Sequence, residues 1–176
     1  YQVEPILKNI NFSIKEGEQW GCLGPNGAGK SSLARIIAQK LRTFSGSIFF
    51  GLTLRSRGVI MVSFDEARSL RARDRRLDMS DFNANAYDRG TIVKDFLGLD
   101  TVKLEDANHF TKLLRIEHIL TRGIRFISTG EMRKVMLGRA IFKQPGLIIL
   151  DGPVDGLDIS SRQSILTILD DLINNN

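Results

Sequence analysis

Eight consecutive residues, Gly24-Pro25-Asn26-Gly27-Ala28-Gly29-Lys30-Ser31, fit the P-loop pattern G-x-x-x-x-G-K-[ST] at every fixed position. Glycines at 24, 27 and 29 let the backbone curl so that successive N–H groups face one point. That arrangement binds phosphate oxygens, and a helix starting at Lys30 would add its positive end. The Lys30 ammonium can reach terminal phosphates, and the Ser31 hydroxyl can ligate magnesium, with Ser32 continuing the turn. A glycine-rich turn that binds nothing is the bland alternative. Agreement at all fixed positions, between an apolar run and a helical pattern, argues against it.

Two further stretches carry chemistry. Leu147-Ile148-Ile149-Leu150 ends in Asp151, which would stand at the carboxyl end of a buried strand, where open α/β sheets bind ligands. Downstream of a P-loop, such a carboxylate holds magnesium directly or through water. Ser128-Thr129-Gly130-Glu131 precedes an amphipathic run to Phe142. Ser128 or Thr129 can cap that helix, and the start of such a helix can hold an anion. Taken alone, Ser-Thr-Gly helix starts are common.

Positioning these residues takes an alternating α/β chain. Val3 to Ile14 alternates as one or two strands with Pro5 at an edge or turn, and Trp20 to Leu23 reads as the strand before the P-loop. Leu33, Ile36, Ile37 and Leu41 give helical spacing after it. Ser47 to Phe50 and Val59 to Phe64 read as strands. From Asp65 the texture turns helical. Arg68 to Arg76 is a basic helix whose default reading is a solvated face, a nucleic-acid patch being weaker for want of interleaved aromatics. Residues 77–90 read as a loop, Thr91 as an N-cap, and Leu104–Leu114 and Ile116–Leu120 as helices. His109 and His118 read as structural or surface residues, not metal ligands. The α/β pattern resumes near residue 145, and Ser160 to Ile173 forms the last helix.

The composition allows this and little else. The chain has 176 residues, 42% hydrophobic and 26% charged, with a net charge of +5, which suits one globular domain and permits a nucleotide partner. Its one cysteine, Cys22, cannot form an internal disulfide and reads as a small buried apolar residue in a reducing compartment. No apolar run approaches the length of a membrane span. The chain opens at Tyr1 without methionine, so a piece of a longer protein is expected.

In this order, the motifs resemble those of the ATP-binding cassette (ABC) family of ATPases over essentially the whole chain. Gly24 to Ser32 matches Walker A, Ser128 to Glu131 the signature motif, Leu147 to Asp151 Walker B, and Gly156-Leu157-Asp158 the D-loop. The wording Ser-Thr-Gly-Glu-x-Arg-Lys and the run Pro153 to Gln163 are similar to the ModF/PhrA type, named for molybdate transport and photorepair. The resemblance implies an α/β, P-loop NTPase fold: a RecA-like core with N-terminal antiparallel strands and an inserted helical subdomain. The implied division of a single, C-terminally truncated domain spanning 1–176 is about 1–64 and 140–176 for the core and 65–139 for the helices. It implies ATP and Mg2+ as cofactors and ATP hydrolysis as the reaction, with Lys30 and Asp151 in catalytic roles. It also implies a head-to-tail dimer with a second cassette, in which Ser128 and Gly130 contact the γ-phosphate bound opposite. Tyr1 stands where an adenine-stacking aromatic would, or is an edge-strand tyrosine. A cytoplasmic location follows, possible attachment to a membrane coming through a separate membrane subunit; nucleic acid is not an expected partner.

Three departures from the family pattern bear on mechanism. The glutamate normally next to the Walker B aspartate is Gly152, whether by natural degeneration, accident or engineering. Losing a group that positions water typically costs about 10²- to 10⁴-fold in rate. On this reading hydrolysis is weakened and Gly152→Glu raises it. The family's metal-bridging glutamine is replaced by Asp65 or Glu66, and the histidine switch falls beyond Asn176. Two rival readings stand beside a working ATPase: a non-catalytic, ATP-gated interaction module, and a soluble, nucleic-acid-linked or repair-linked ATPase.

Overall fold

The computed structural model describes residues 6–76, 90–101 and 103–174, apart from the side chain of Asp65. Its centre is a parallel pair of strands, β1 (Val59–Ser63) and β2 (Leu147–Asp151), in register from Val59↔Leu147 to Ser63↔Asp151. Parallel strands need a long crossover. Here it carries α3 (Phe64–Arg76), α4 (Val93–Leu97), α5 (Leu104–Leu113) and α6 (Thr129–Phe142). Before β1 come α1 (Lys30–Ile37) and α2 (Leu52–Arg57), and after β2 comes α7 (Ile159–Asn174).

Helix α6 is the hub. Its start is fixed by a complete capping box: the Glu131 N–H donates to Ser128 Oγ at 3.1 Å, and the Ser128 N–H donates to Glu131 Oε2 at 2.6 Å. Met132, Val135, Met136 and Ala140 recur at helical spacing and are buried. The helix stops where Gln144 turns to φ 46 ahead of Pro145. It packs against β1, α3, α4 and α7. The core around it is completed by Val93, Leu114, Ile116, Ile119 and Ile168. Burying a side chain such as Leu114, which is fully enclosed, contributes roughly 1.5–3 kcal/mol.

The expected strands at β1 and β2 are present, as are the helices at 30–37, 64–76, 104–113, 129–142 and 159–174. Several other expectations change. Phe64 opens α3 instead of closing β1. The runs 6–14, 20–23 and 47–50 join no ladder among the described residues, and Tyr1 to Pro5 lie outside them. Alternation alone does not make a strand; it needs a neighbour's N–H and C=O groups, and here Ile6, Ile10, Phe12, Trp20, Leu23 and Phe49 remain exposed. Cys22 is exposed as well, not buried. Thr91 does not cap a helix: its N–H and hydroxyl donate to Asp74 Oδ1, at 3.0 and 2.8 Å. The expected loop at 77–90 falls outside the described residues except at Gly90. Helix α2, between Gly51 and Gly58, was not anticipated from the sequence. None of the described helices is long and apolar enough to cross a membrane.

Candidate functional site

The P-loop turn leads directly into α1. Gly29 is the N-cap of α1 at φ 90, a left-handed conformation that favours glycine, and a Cβ there would lie 2.8 Å from Leu7 Cδ2. Gly27 is also left-handed, at φ 82, and the Ala28 N–H closes the turn on the Pro25 carbonyl at 3.3 Å. The Lys30 ammonium donates to the carbonyls of Gly24 and Pro25, both at 2.8 Å. The lysine is thus folded back onto its own loop. Ser32 follows within α1.

Ser31 and Asp151 lie 120 positions apart in sequence and meet in space. The Ser31 hydroxyl donates to Asp151 Oδ1 at 2.9 Å, in a half-buried position where α1 reaches the carboxyl end of β2. The two side chains form an all-oxygen pair. Mg2+ takes one or two protein oxygens and fills its octahedron with phosphate and water, so this donor set fits that ion. Among the described residues no group of three or more His, Cys, Asp or Glu gathers into a richer metal site.

Immediately after Asp151 the chain turns sharply. Gly152 is at φ 63, and its carbonyl accepts from the Asp155 N–H at 3.3 Å. A Cβ on Gly152 would meet Asp155 Oδ2 at 2.5 Å. The position next to Asp151 is therefore a tight turn that a side chain would crowd. Asp158 starts α7 by accepting from the Ser161 N–H at 2.9 Å and from the Ser160 hydroxyl at 2.7 Å. Those bonds hold its carboxyl far below the usual carboxylate range.

At the start of α6, Ser128 spends its hydroxyl and N–H on the capping box. Gly130 is buried, and a Cβ there would come within 2.9 Å of Ser161 Oγ on α7. Arg71 of the basic helix donates to the carbonyls of Ile127 and Ser128, each at 2.6 Å, so this arginine braces a neighbouring segment and does not belong to a solvated face. His118 Nε2 lies 3.1 Å from Glu131 Oε1. Burial pushes the Glu131 carboxyl up, but the Ser128 N–H and hydroxyl, and then His118, outweigh it and hold the group below its ordinary value.

A pH dependence follows. Glu131 and Asp158 both have folded values below their unfolded ones, so the unfolded chain binds more protons as the medium turns acid. Their stabilisation is full above the ordinary carboxylate range, about pH 4–4.5, and is lost as pH falls through the depressed folded values. Urea titrations at pH 7, 4 and 3 should show this decline, with a shallower decline in Glu131→Gln. Equal slopes in the two proteins would exclude the Glu131 contribution.

Of the sequence-derived site residues, the structure joins Ser31 to Asp151, and Lys30 to Gly24 and Pro25. It places Ser128 and Gly130 on α6 without a described bond to the P-loop. Tyr1 and the Asp65 side chain lie outside the described residues. Glu66 is committed to Lys40 at 2.9 Å. Arg71 reads from the sequence only as part of the basic run and Arg133 only as part of the Ser-Thr-Gly-Glu-x-Arg-Lys wording, because their partners are backbone carbonyls, which carry no residue identity.

The family model described as "ABC transporter" matches residues 7–155. Among curated relatives, the zinc import ATP-binding protein ZnuC of Wigglesworthia glossinidia brevipalpis is 34% identical over 177 residues, covering 98% of this chain and 65% of that protein. The ABC transporter ATP-binding protein ModF of Escherichia coli (strain K12) is 30% identical over 163 residues, covering 90% of this chain and 32% of that one. The chain therefore spans less than two thirds of the length of these relatives. Among solved structures, a nucleotide-free ATP-binding cassette from an ABC transporter superposes with a TM-score of 0.61 at 19% identity, covering 86% of this chain and 64% of that chain. A metal-chelate type ABC transporter in an inward-facing conformation gives 0.65 at 22%, over 99% and 64%. The fold is thus that of the P-loop cassettes, as the motifs implied, and the chain belongs to the ABC transporter family.

Proposed function

We propose that this chain binds MgATP as the nucleotide-binding cassette of a transport system and hydrolyses it slowly. The carrying observation is the 2.9 Å bond between Ser31 and Asp151, which brings a Walker A hydroxyl and a Walker B carboxylate to one point. Lys30 swings from the Gly24 and Pro25 carbonyls to the β- and γ-phosphates, and the amides from Gly24 to Ser32 cradle them. Ser31 and Asp151 would hold the magnesium ion. That ion would neutralise charge building on the phosphate oxygens during transfer. Asp65, two positions beyond β1, is a third candidate for the metal. Tyr1 is a candidate platform for adenine. Ser128 and Gly130 serve the phosphate bound on a second cassette, and residues 65–139 form the helical part that moves with them.

Gly152 offers no side chain to hold water in line with the γ-phosphate, so turnover is slow. That same residue favours a second reading, an ATP-gated interaction module whose dimerisation matters more than its hydrolysis. Transport needs a membrane subunit to supply the passage, and the ATP-using cassette stands on its cytoplasmic side.

Magnesium dependence tests the core of this reading. A fluorescent ATP analogue should bind the full chain about tenfold more tightly with Mg2+ than with chelator. In Ser31→Ala that ratio should fall toward one while metal-free affinity stays. A ratio unchanged by the substitution would remove Ser31 from the metal site and sink the assignment.

A further inference from the structure

We propose that Arg133 is the positioning residue through which the start of α6, the turn after Asp151 and the start of α3 move together. The inference rests on the ATP-binding reading above and adds a route by which nucleotide at the P-loop is felt at the signature helix.

Arg133 is 7% exposed, and its guanidinium reaches from α6 to two other segments at once. Nη1 donates to the carbonyl of Gly152 at 3.0 Å and to that of Pro153 at 2.7 Å, and Nη2 donates to the carbonyl of Asp155. The charged plane also lies over the Phe64 ring, 4.7 Å from its centroid. Each contact falls beside a candidate site residue. Arg133 is three positions from Gly130, Gly152 adjoins Asp151, and Phe64 adjoins Asp65.

The chemistry makes this a coupling device and not a simple filler. A planar fork with five donors can satisfy several carbonyls in one fixed orientation, which an ammonium cannot. The acceptors all belong to a tight turn held by only two weak internal bonds, Asp155 N–H to Gly152 at 3.3 Å and Leu157 N–H to Val154 at 3.4 Å. Removing the guanidinium would take a charged donor from three carbonyls in part-buried bonds, leaving the turn without its tie to α6. The charged neighbours are the Asp155 carboxylate, which favours the cation, and Arg68, which opposes it. Nε has no partner among the described residues, so the group is held by its fork alone.

Hydrogen exchange on the full chain, with and without MgATPγS, tests the proposal. In the unmodified protein, nucleotide should increase protection both at 152–157 and at 128–133. Arg133→Gln should keep nucleotide affinity within about threefold, because Lys30, Ser31 and Asp151 are untouched, yet lose the nucleotide-induced change at 128–133. Arg133→Lys should recover only part of that change, since one ammonium cannot bridge three carbonyls. If Arg133→Gln does not fold, Phe64→Leu removes the ring face alone and should weaken the change without abolishing it. A full nucleotide response at 128–133 in Arg133→Gln, or in Phe64→Leu where that variant replaces it, overturns the proposal. So does a loss of affinity in Arg133→Gln equal to the loss of response. Absence of nucleotide binding in the unmodified chain would instead overturn the functional reading, while exchange at 152–157 would still report the clamp.

Discussion

Lys30→Ala should lower nucleotide affinity by about two orders of magnitude while leaving the fold intact. The residue is half-buried, and its ammonium is bonded, among the described residues, at exposed positions to the carbonyls of Gly24 and Pro25, which water can serve in its place. Stability should therefore change by no more than about 0.5 kcal/mol, as at other surface sites. The bound state is different. Hydrogen bonds between charged groups contribute about 1.5–3 kcal/mol each, and the lysine makes such contacts to phosphate. Isothermal titration with MgATP, alongside thermal melts, separates the two quantities. Unchanged affinity with an unchanged melt would show that the loop is a structural turn, and the nucleotide reading would fail with it.

The second large effect concerns Gly152. Restoring a glutamate looks from the sequence like a gain in turnover. The structure adds a condition. Any side chain at φ 63 carries roughly 1–2 kcal/mol of backbone strain. Here the Cβ would also press on Asp155 Oδ2, and the new carboxylate would face an existing one. Gly152→Glu alone should melt about 2–8 °C lower, with turnover within about threefold of the unmodified chain. The pair Gly152→Glu with Asp155→Ala removes the obstructing carboxylate but keeps the Asp155 carbonyl that Arg133 holds. That pair should hydrolyse ATP at least about tenfold faster, consistent with a water-positioning group worth about 10²–10⁴. Steady-state phosphate release measures both. A rise in the single variant would mean that the turn adapts freely. No rise in the pair would mean that something other than the missing carboxylate limits the rate.

Much of this was legible in the sequence, and what was not has a physical cause. The five-residue strands β1 and β2 announce themselves because both are unbroken runs too short and too apolar for a surface helix. The start of α6 is legible because Ser128 and Glu131 stand three apart before a periodic run, and the capping box forms as that spacing demands. Asp151 and Ser31 could be paired because both motifs have fixed roles around one ion. The run Trp20 to Leu23 shows the opposite case. Its composition suits a strand, but strand formation is settled by neighbours far away in sequence, and local pattern does not contain them. Helix α2 was missed because six residues give less than two turns of periodicity. Arg71 and Arg133 escaped for another reason. Long side chains that reach backbone carbonyls choose partners by geometry alone, so no residue type marks the far end of the bond. Gly152 reads from the sequence as a position without the usual glutamate, yet its sign of φ, which decides what a replacement would do, cannot be read from a letter.

Trp20 is the chain's single tryptophan. Its indole N–H donates to Glu18 Oε2 at 3.0 Å, and its ring lies 5.8 Å from that of Phe12. It stands four residues before Gly24 and is 59% exposed. All tryptophan emission from these 176 residues therefore originates at the entrance to the P-loop. The protein carries its own optical probe of that loop, with no label needed.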